Sequence, residues 1–323
     1  MHNTFSKPKE IANEINLQMD RFIPVLFPLG VVLGFILPGV FILLQPYVLL
    51  LFAMMTLSGA LKLKVAEFGT TIRNPLPIAA AFVSSYILMP LFALLVSSFI
   101  FAGDNDTITG FILLFCGPIA VSSFIWVSIY RGSKALSLTL ILLGTILAPI
   151  TVPGTLSILM GARVALDMSG VAVSLLLMVV VPTIIGVTLN ETSRGKIPSL
   201  VCPYLNPVSK ICLMLVIAAN TSSVATTIRL DDPTIWIIAV VCILLAIINF
   251  LLAKLAAIMC RCSTENSIAL FFSGSLRNIA SVATIAVTFF SQATVLPTLI
   301  MIVFQHLLSA LMAKLLIKKG NEP

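Results

Sequence analysis

Apolar residues run along this chain in long blocks, and short polar clusters punctuate them. A helix needs about 20 apolar residues to cross bilayer hydrocarbon. Ten blocks qualify, over roughly 22–42, 44–61, 76–101, 108–130, 134–160, 168–190, 205–226, 234–259, 267–290 and 294–316. Between them lie charged or Pro/Gly-bearing turns such as EFGTTIRNP, AGDNDT, RGSK, NETSRGKIP and RLDDP. The pattern predicts an all-α polytopic membrane protein with ten transmembrane helices. Residues 1–21 are polar and precede a full-length span with no small-residue cleavage site, so they read as a retained tail. Residues 317–323 form a second tail.

Composition and charge sharpen that picture. The chain is 59% hydrophobic and 10% charged, with a mean hydropathy of +1.14. Soluble domains carry about a quarter charged residues, so a water-soluble globule is excluded. The formal charge of +7 is explained by its distribution. With the amino terminus placed in the cytoplasm, sixteen Lys and Arg fall on the inner side and only Arg163 and Arg229 on the outer. That is the positive-inside bias of a cytoplasmic-membrane protein with both termini inside, and it calls for no nucleic-acid partner. One basic residue belongs to no loop: Arg277. All twelve acidic residues fit in tails or connections, among them Asp104, Asp106, Asp231 and Asp232, so Arg277 has no intramembrane carboxylate. The six cysteines are scattered and suggest no disulfide framework. Cys260 and Cys262 fall two ligands short of a structural zinc site. No cofactor is implied.

Ten spans divide into two fives, and an odd number sets the halves upside down relative to each other, as in many secondary transporters. The fourth span of each half is interrupted. CGPIAVSSF (116–124) puts Gly117 and Pro118 inside span 4, with Ser122 and Ser123 just after, and SGSLRN (273–278) occupies the matching place in span 9. Paired interruptions of this kind point to a binding site near the midplane. Unwound backbone at that depth is tolerated only when buried in protein or lining a watered cavity.

At these residues the chain resembles the bile acid:sodium symporter family. The likeness rests on PIAVSSF (118–124) with YRGSKALSLTLILLGTILAPITVP (130–153), and on SGSLRNIASVATIAV (273–287) with VLPTLIMIVFQ (295–305). Residues 61–90, leading into span 3, match as well. The resemblance implies a six-helix core of spans 3–5 and 8–10 (76–160 and 234–316) and a four-helix panel of spans 1, 2, 6 and 7 (22–61 and 168–226). Broken spans 4 and 9 would cross beside the substrate and ion sites. It also implies departures. Where sodium-coupled members carry a glutamate in span 9, this chain has Ser273, and their glutamine before the asparagine is Arg277. Their span-3 glutamine aligns with Ser85, their span-4 asparagine with Phe124 and a span-5 threonine with Ile141. Ser123 and Ser137 remain of the span 4–5 ligands.

Losing a carboxylate while gaining a cation reverses the electrostatics of the site. Arg277 is therefore expected to occupy the place of a lost sodium, donating to unwound carbonyls and serine hydroxyls of spans 4 and 9. Its guanidinium could also bind an anionic substrate directly, since its fork suits a carboxylate, or else snorkel to an interface. Asn278, Ser122, Ser123, Ser273 and Ser275 complete the candidate substrate-binding set. Ser85, Ser123, Ser137 and His306 are candidate ion or coupling residues, the histidine because its pKa suits proton coupling. It also reads as a structural hydrogen bonder.

The expected function is alternating-access transport of a small organic anion, independent of sodium. A sodium-coupled bile-acid-like or pantoate-like symporter is the alternative. Cys116 keeps open a metalloid exporter of similar architecture. An intramembrane hydrolase would need paired carboxylates, a Ser–His pair or HExxH, and none is evident. A channel would lack saturation and exchange. The expected partners are the anion and the lipid bilayer; the sequence sets no oligomeric state.

Overall fold

The computed structural model describes residues 28–63, 75–161, 167–225 and 231–317, together with residues 12, 14, 16, 18 and 19. Most of the expected tails, the beginning of span 1, nearly all of EFGTTIRNP, and Arg163 and Arg229 lie outside the described residues. The described elements are all helical, and the one extended pairing among them is an isolated antiparallel bridge. In chain order the helices are α1 (28–36), α2 (Pro38–Ala60), α3 (Pro75–Ile100), α4 (Asn105–Cys116), α5 (Ser123–Ile129) and α6 (Lys134–Met160). There follow α7 (Met168–Thr192), α8 (Lys196–Ser222), α9 (Pro233–Met259), α10 (Thr264–Ser275), α11 (Ile279–Phe289) and α12 (Gln292–Leu316). Seven of them (α2, α3, α6, α7, α8, α9 and α12) are long and apolar enough to cross a membrane. Many large apolar side chains face outward, Phe99 at 88% and Ile158 at 84% exposure. Lipid accommodates such a surface and water does not.

Two element boundaries differ from expectation, each through proline. The first turn falls at Leu37 rather than near residue 43, because Pro38 disfavours helical backbone in the residue before it. Leu37 accordingly sits at φ −123°, and α2 passes through a tight turn at Ile42–Tyr47 that contains Pro46. Span 7, expected over 205–226, begins at Lys196 instead. Pro198 falls in the first turn of α8, where its missing N–H has no helical partner to lose.

The chain forms two compact units. One comprises residues 1–66 and 173–228. In it α2 packs on both α7 and α8, and side-chain amides tie the ends together: Gln45 to the Ala219 carbonyl at 2.7 Å and Asn190 to the Leu63 carbonyl at 2.7 Å.

The other unit comprises residues 67–172 and 229–323. Its interior is built on the two interrupted helices. Every residue of α4 from Thr107 to Cys116 is buried, with α3, α6, α11 and α12 around it. In α10 everything from Ile268 to Ser275 is buried, against α5, α6 and α9. The interruptions have local causes. Pro118 lacks an N–H and pushes Gly117 to φ −57°, ψ 159°, which ends α4. After α10, Leu276 is extended, and Asn278 restarts the helix as an N-cap accepting from the Ser281 N–H at 3.4 Å. The two gaps then pair, Ile119 bridging Arg277. The Ala120 N–H donates to the Leu276 carbonyl at 3.0 Å and the Asn278 N–H to the Pro118 carbonyl at 2.8 Å. Each gap supplies partners for backbone groups the other leaves open.

Candidate functional site

Arg277 lies at this pairing, and its placement starts with its backbone. Its N–H donates to Gln305 Oε1 of α12 at 3.0 Å. The residue is 1% exposed and lies in the gap between α10 and α11. Nη2 donates to the Ser85 carbonyl at 3.1 Å and the Gly274 carbonyl at 3.2 Å. The guanidinium carbon lies 5.5 Å from the centroid of the Tyr86 ring, within the range of a cation–π contact.

The free carbonyl at Ser85 has its own cause in the sequence. Over Ser84–Leu88 helix α3 widens to a π turn, so the Met89 N–H bonds back to Ser84. The next donor in that register would be residue 90, which is proline. Ser85 therefore has no helical donor in that register, and Arg277 supplies one from another element. The Ser85 hydroxyl reinforces the contact by donating to the same Gly274 carbonyl at 2.9 Å. A single-turn π segment commonly marks a functional position in a helix.

Beside the guanidinium lies a neutral cluster. The Ser273 hydroxyl is 2.8 Å from that of Ser137 and 3.1 Å from that of Ser123. All three serines are fully buried. They join the two interrupted helices to α6, and they form this hydroxyl trio at the position where a carboxylate would be charged. Among the described residues no group of three or more His, Cys, Asp or Glu is placed to hold a metal ion. What the arrangement offers chemically is a fixed, buried positive charge that two carbonyl oxygens partly satisfy, with a neutral hydroxyl trio on the adjoining residues.

Residues 48–231 match the model of the sodium bile acid symporter family. The chain belongs to that family. It is 36% identical over 293 residues to "Uncharacterized protein YbaS" of Bacillus subtilis (strain 168), which covers 91% of this chain and 96% of that one. It is 26% identical over 290 residues to "Uncharacterized sodium-dependent transporter YocS" of the same organism, covering 89% and 88%. It is 30% identical over 166 residues to "Probable sodium/metabolite cotransporter BASS3, chloroplastic" of Arabidopsis thaliana, covering 51% of this chain and 38% of the plant protein. The YocS and BASS3 relatives bear the names of a transporter and a cotransporter, and this symporter-family chain is a multi-pass membrane transporter of a small solute.

Within the transporter, the residues singled out from sequence have separate fates. Ser85, Arg277, Ser273, Ser123 and Ser137 come together around the paired interruptions. Two other candidates are held in structural contacts. Asn278 caps α11, and Ser275 is clasped by Asn249 of α9, whose amide donates to the Ser275 carbonyl at 2.7 Å. Ser122 is half-buried at the start of α5 and makes no side-chain cap. His306 accepts at Nδ1 from the Trp126 indole at 3.4 Å. Cys116 is buried and bonded to its own helix at the Leu113 carbonyl.

The partners of the guanidinium depart from expectation in part, the Gly274 carbonyl alone belonging to the expected span-9 set. They are carbonyls of α3 and α10, not span-4 carbonyls or serine hydroxyls. The span-4 backbone is taken up by the bridge, the hydroxyls bond one another, and Pro90 leaves Ser85 open. Sequence reading missed Tyr86, Gln305 and Asn249. A signal existed for the last two, each a lone amide inside an apolar run, but which helix faced them was not legible.

Proposed function

We propose that this transporter carries a small organic anion by alternating access without sodium coupling. Arg277 stands permanently where a sodium ion would otherwise be coordinated. The observation supporting this is the pair of hydrogen bonds from Nη2 to the Ser85 and Gly274 carbonyls. Carbonyl oxygens are ligands an alkali cation would take, and a guanidinium in a protein never gives up its charge. Ser273, where sodium-coupled members of the family carry a glutamate, lies in a neutral hydroxyl trio, so a buried sodium would find no carboxylate there.

In this reading the ten spans form two inverted five-helix halves. Spans 3–5 and 8–10 are the core and spans 1, 2, 6 and 7 the panel, in the cytoplasmic membrane with both termini inside. The broken helices cross near the midplane, and the core moves against the panel around them. The charge of the site favours a monoanion of keto-acid, pantoate or bile-acid type.

A second reading is favoured by the names of two relatives, one a sodium-dependent transporter and one a sodium/metabolite cotransporter. It makes this chain sodium-coupled. One experiment separates the two: melting of the purified protein in sodium and potassium chloride at matched ionic strength. An ion bound only by the folded state adds about 2.7 kcal/mol at a hundredfold excess over its Kd. Equal melting temperatures are expected. A saturable, sodium-specific rise would return the protein to the coupled class.

A further inference from the structure

A guanidinium carries five N–H donors, and the two carbonyl contacts of Arg277 engage only Nη2. Nε and Nη1 are buried and have no hydrogen-bond partner among the described residues. The Tyr86 hydroxyl oxygen lies within reach of the Ile119 backbone N–H, and its own O–H finds no acceptor among the described residues. Its ring lies against the guanidinium, and its oxygen points to the place where Ile119, the bridge partner of Arg277, meets α6. A Cβ added to Gly144 would come 2.8 Å from that oxygen and 3.2 Å from the Ile119 side chain. An ionised group held in a dry interior without a counter-charge is among the most costly arrangements a protein can carry. The acidic side chains described in this unit do not relieve it. Asp104, Asp106, Asp167, Asp231, Asp232 and Glu265 stand at helix starts or in turns.

We infer that the Arg277–Tyr86 pair binds a small monovalent anion, which supplies the missing counter-charge. The site holds one fixed positive charge, and its remaining donors are neutral. A halide or the head of a carboxylate leaves it neutral, whereas sulfate or phosphate would leave buried negative charge in excess. The close contact beside Gly144 closes one wall, so bulk must lie elsewhere. Two sources share this chemistry: a free halide resident at the site, and the carboxylate of the carried substrate. The inference extends the reading of Arg277 as a fixed cation and can fail independently of it.

The test holds sodium constant and varies the anion. Purified full-length protein is melted in chloride, bromide, formate, acetate and sulfate against a bulky sulfonate reference, at equal ionic strength. The melting temperature is expected to rise saturably with halide or short carboxylate, and sulfate to match the reference. Tyr86→Phe keeps the ring but removes the hydroxyl, and should raise the half-saturating concentration about tenfold, the worth of one hydrogen bond in a charged site. Arg277→Gln should abolish the response. A response to halides alone assigns a resident counter-ion, and a response to formate and acetate alone assigns the substrate carboxylate. The inference is overturned by a wild-type protein that melts identically in every anion, or by an anion response that survives both substitutions. Because the cation never changes, neither result depends on the sodium–potassium comparison.

Discussion

At the scale of single residues, the site turns on what a planar fork can do that a point charge cannot. Arg277 reaches two carbonyls from one nitrogen while its carbon faces an aromatic ring. Lysine keeps the charge but has no planar fork and a more strongly hydrated head. Arg277→Lys should therefore fold and lose transport by at least about tenfold, the equivalent of about 1.4 kcal/mol, as read by uptake into proteoliposomes. Uptake equal to wild type would mean that charge alone suffices. Much of this residue-scale chemistry was legible beforehand. A lone arginine in an apolar run with no carboxylate at its depth demands partners, and serines at 123, 137 and 273 stood at ligand positions of a known site. Tyr86 was not legible, because an aromatic residue inside a membrane span looks like ordinary packing until the cation over its face is seen. Ser122 and Ser275 show the reverse. Adjacency to an interruption made them candidates, yet one starts a short helix and the other is clasped by Asn249.

At the scale of elements, prolines set the geometry more than apolar periodicity does. Pro118 ends α4, Pro38 moves the first turn, and Pro90, with the π turn before it, exposes the carbonyl that Arg277 takes. Pro90→Ala would restore a backbone donor close to Ser85, in competition with the guanidinium. The expected result is a gain in thermal stability for α3, since an internal proline costs a helix about 3 kcal/mol, together with slower transport. An unchanged transport rate would show that the Ser85 contact is dispensable. Span existence was readable because length and apolarity decide it. The π turn was not, since it depends on how helix register responds to a missing N–H. The interruption of span 9, which has no proline, was readable at SGSLRN more weakly than that of span 4, and its cause, Asn278 capping α11 and Leu276 pairing with Ala120, was not.

At the scale of the whole molecule, the proposed orientation is open to a direct check. Asp232 is exposed at the start of α9 and Cys262 is half-exposed in the turn after it, and the positive-inside bias assigns them to opposite sides. A cysteine introduced by Asp232→Cys should react with a membrane-impermeant thiol reagent on intact cells, while Cys262 reacts only once the membrane is opened. The reverse pattern would invert the topology. Orientation matters because the charge of Arg277 is covalent. A carrier that releases its cation is discharged on its return, but in the proposed sodium-independent cycle this one would bring its positive charge back across the field each time. Loaded with a monoanion it would be neutral and would move without regard to membrane voltage; empty, it would feel about 2.3 kcal/mol per 100 mV for a full crossing. An inside-negative potential would thus hold the empty carrier facing the cytoplasm and drive the anion outward. On that electrical balance, the proposed fixed guanidinium would make an exporter or an exchanger, and accumulation of an anion would require something else to supply the work.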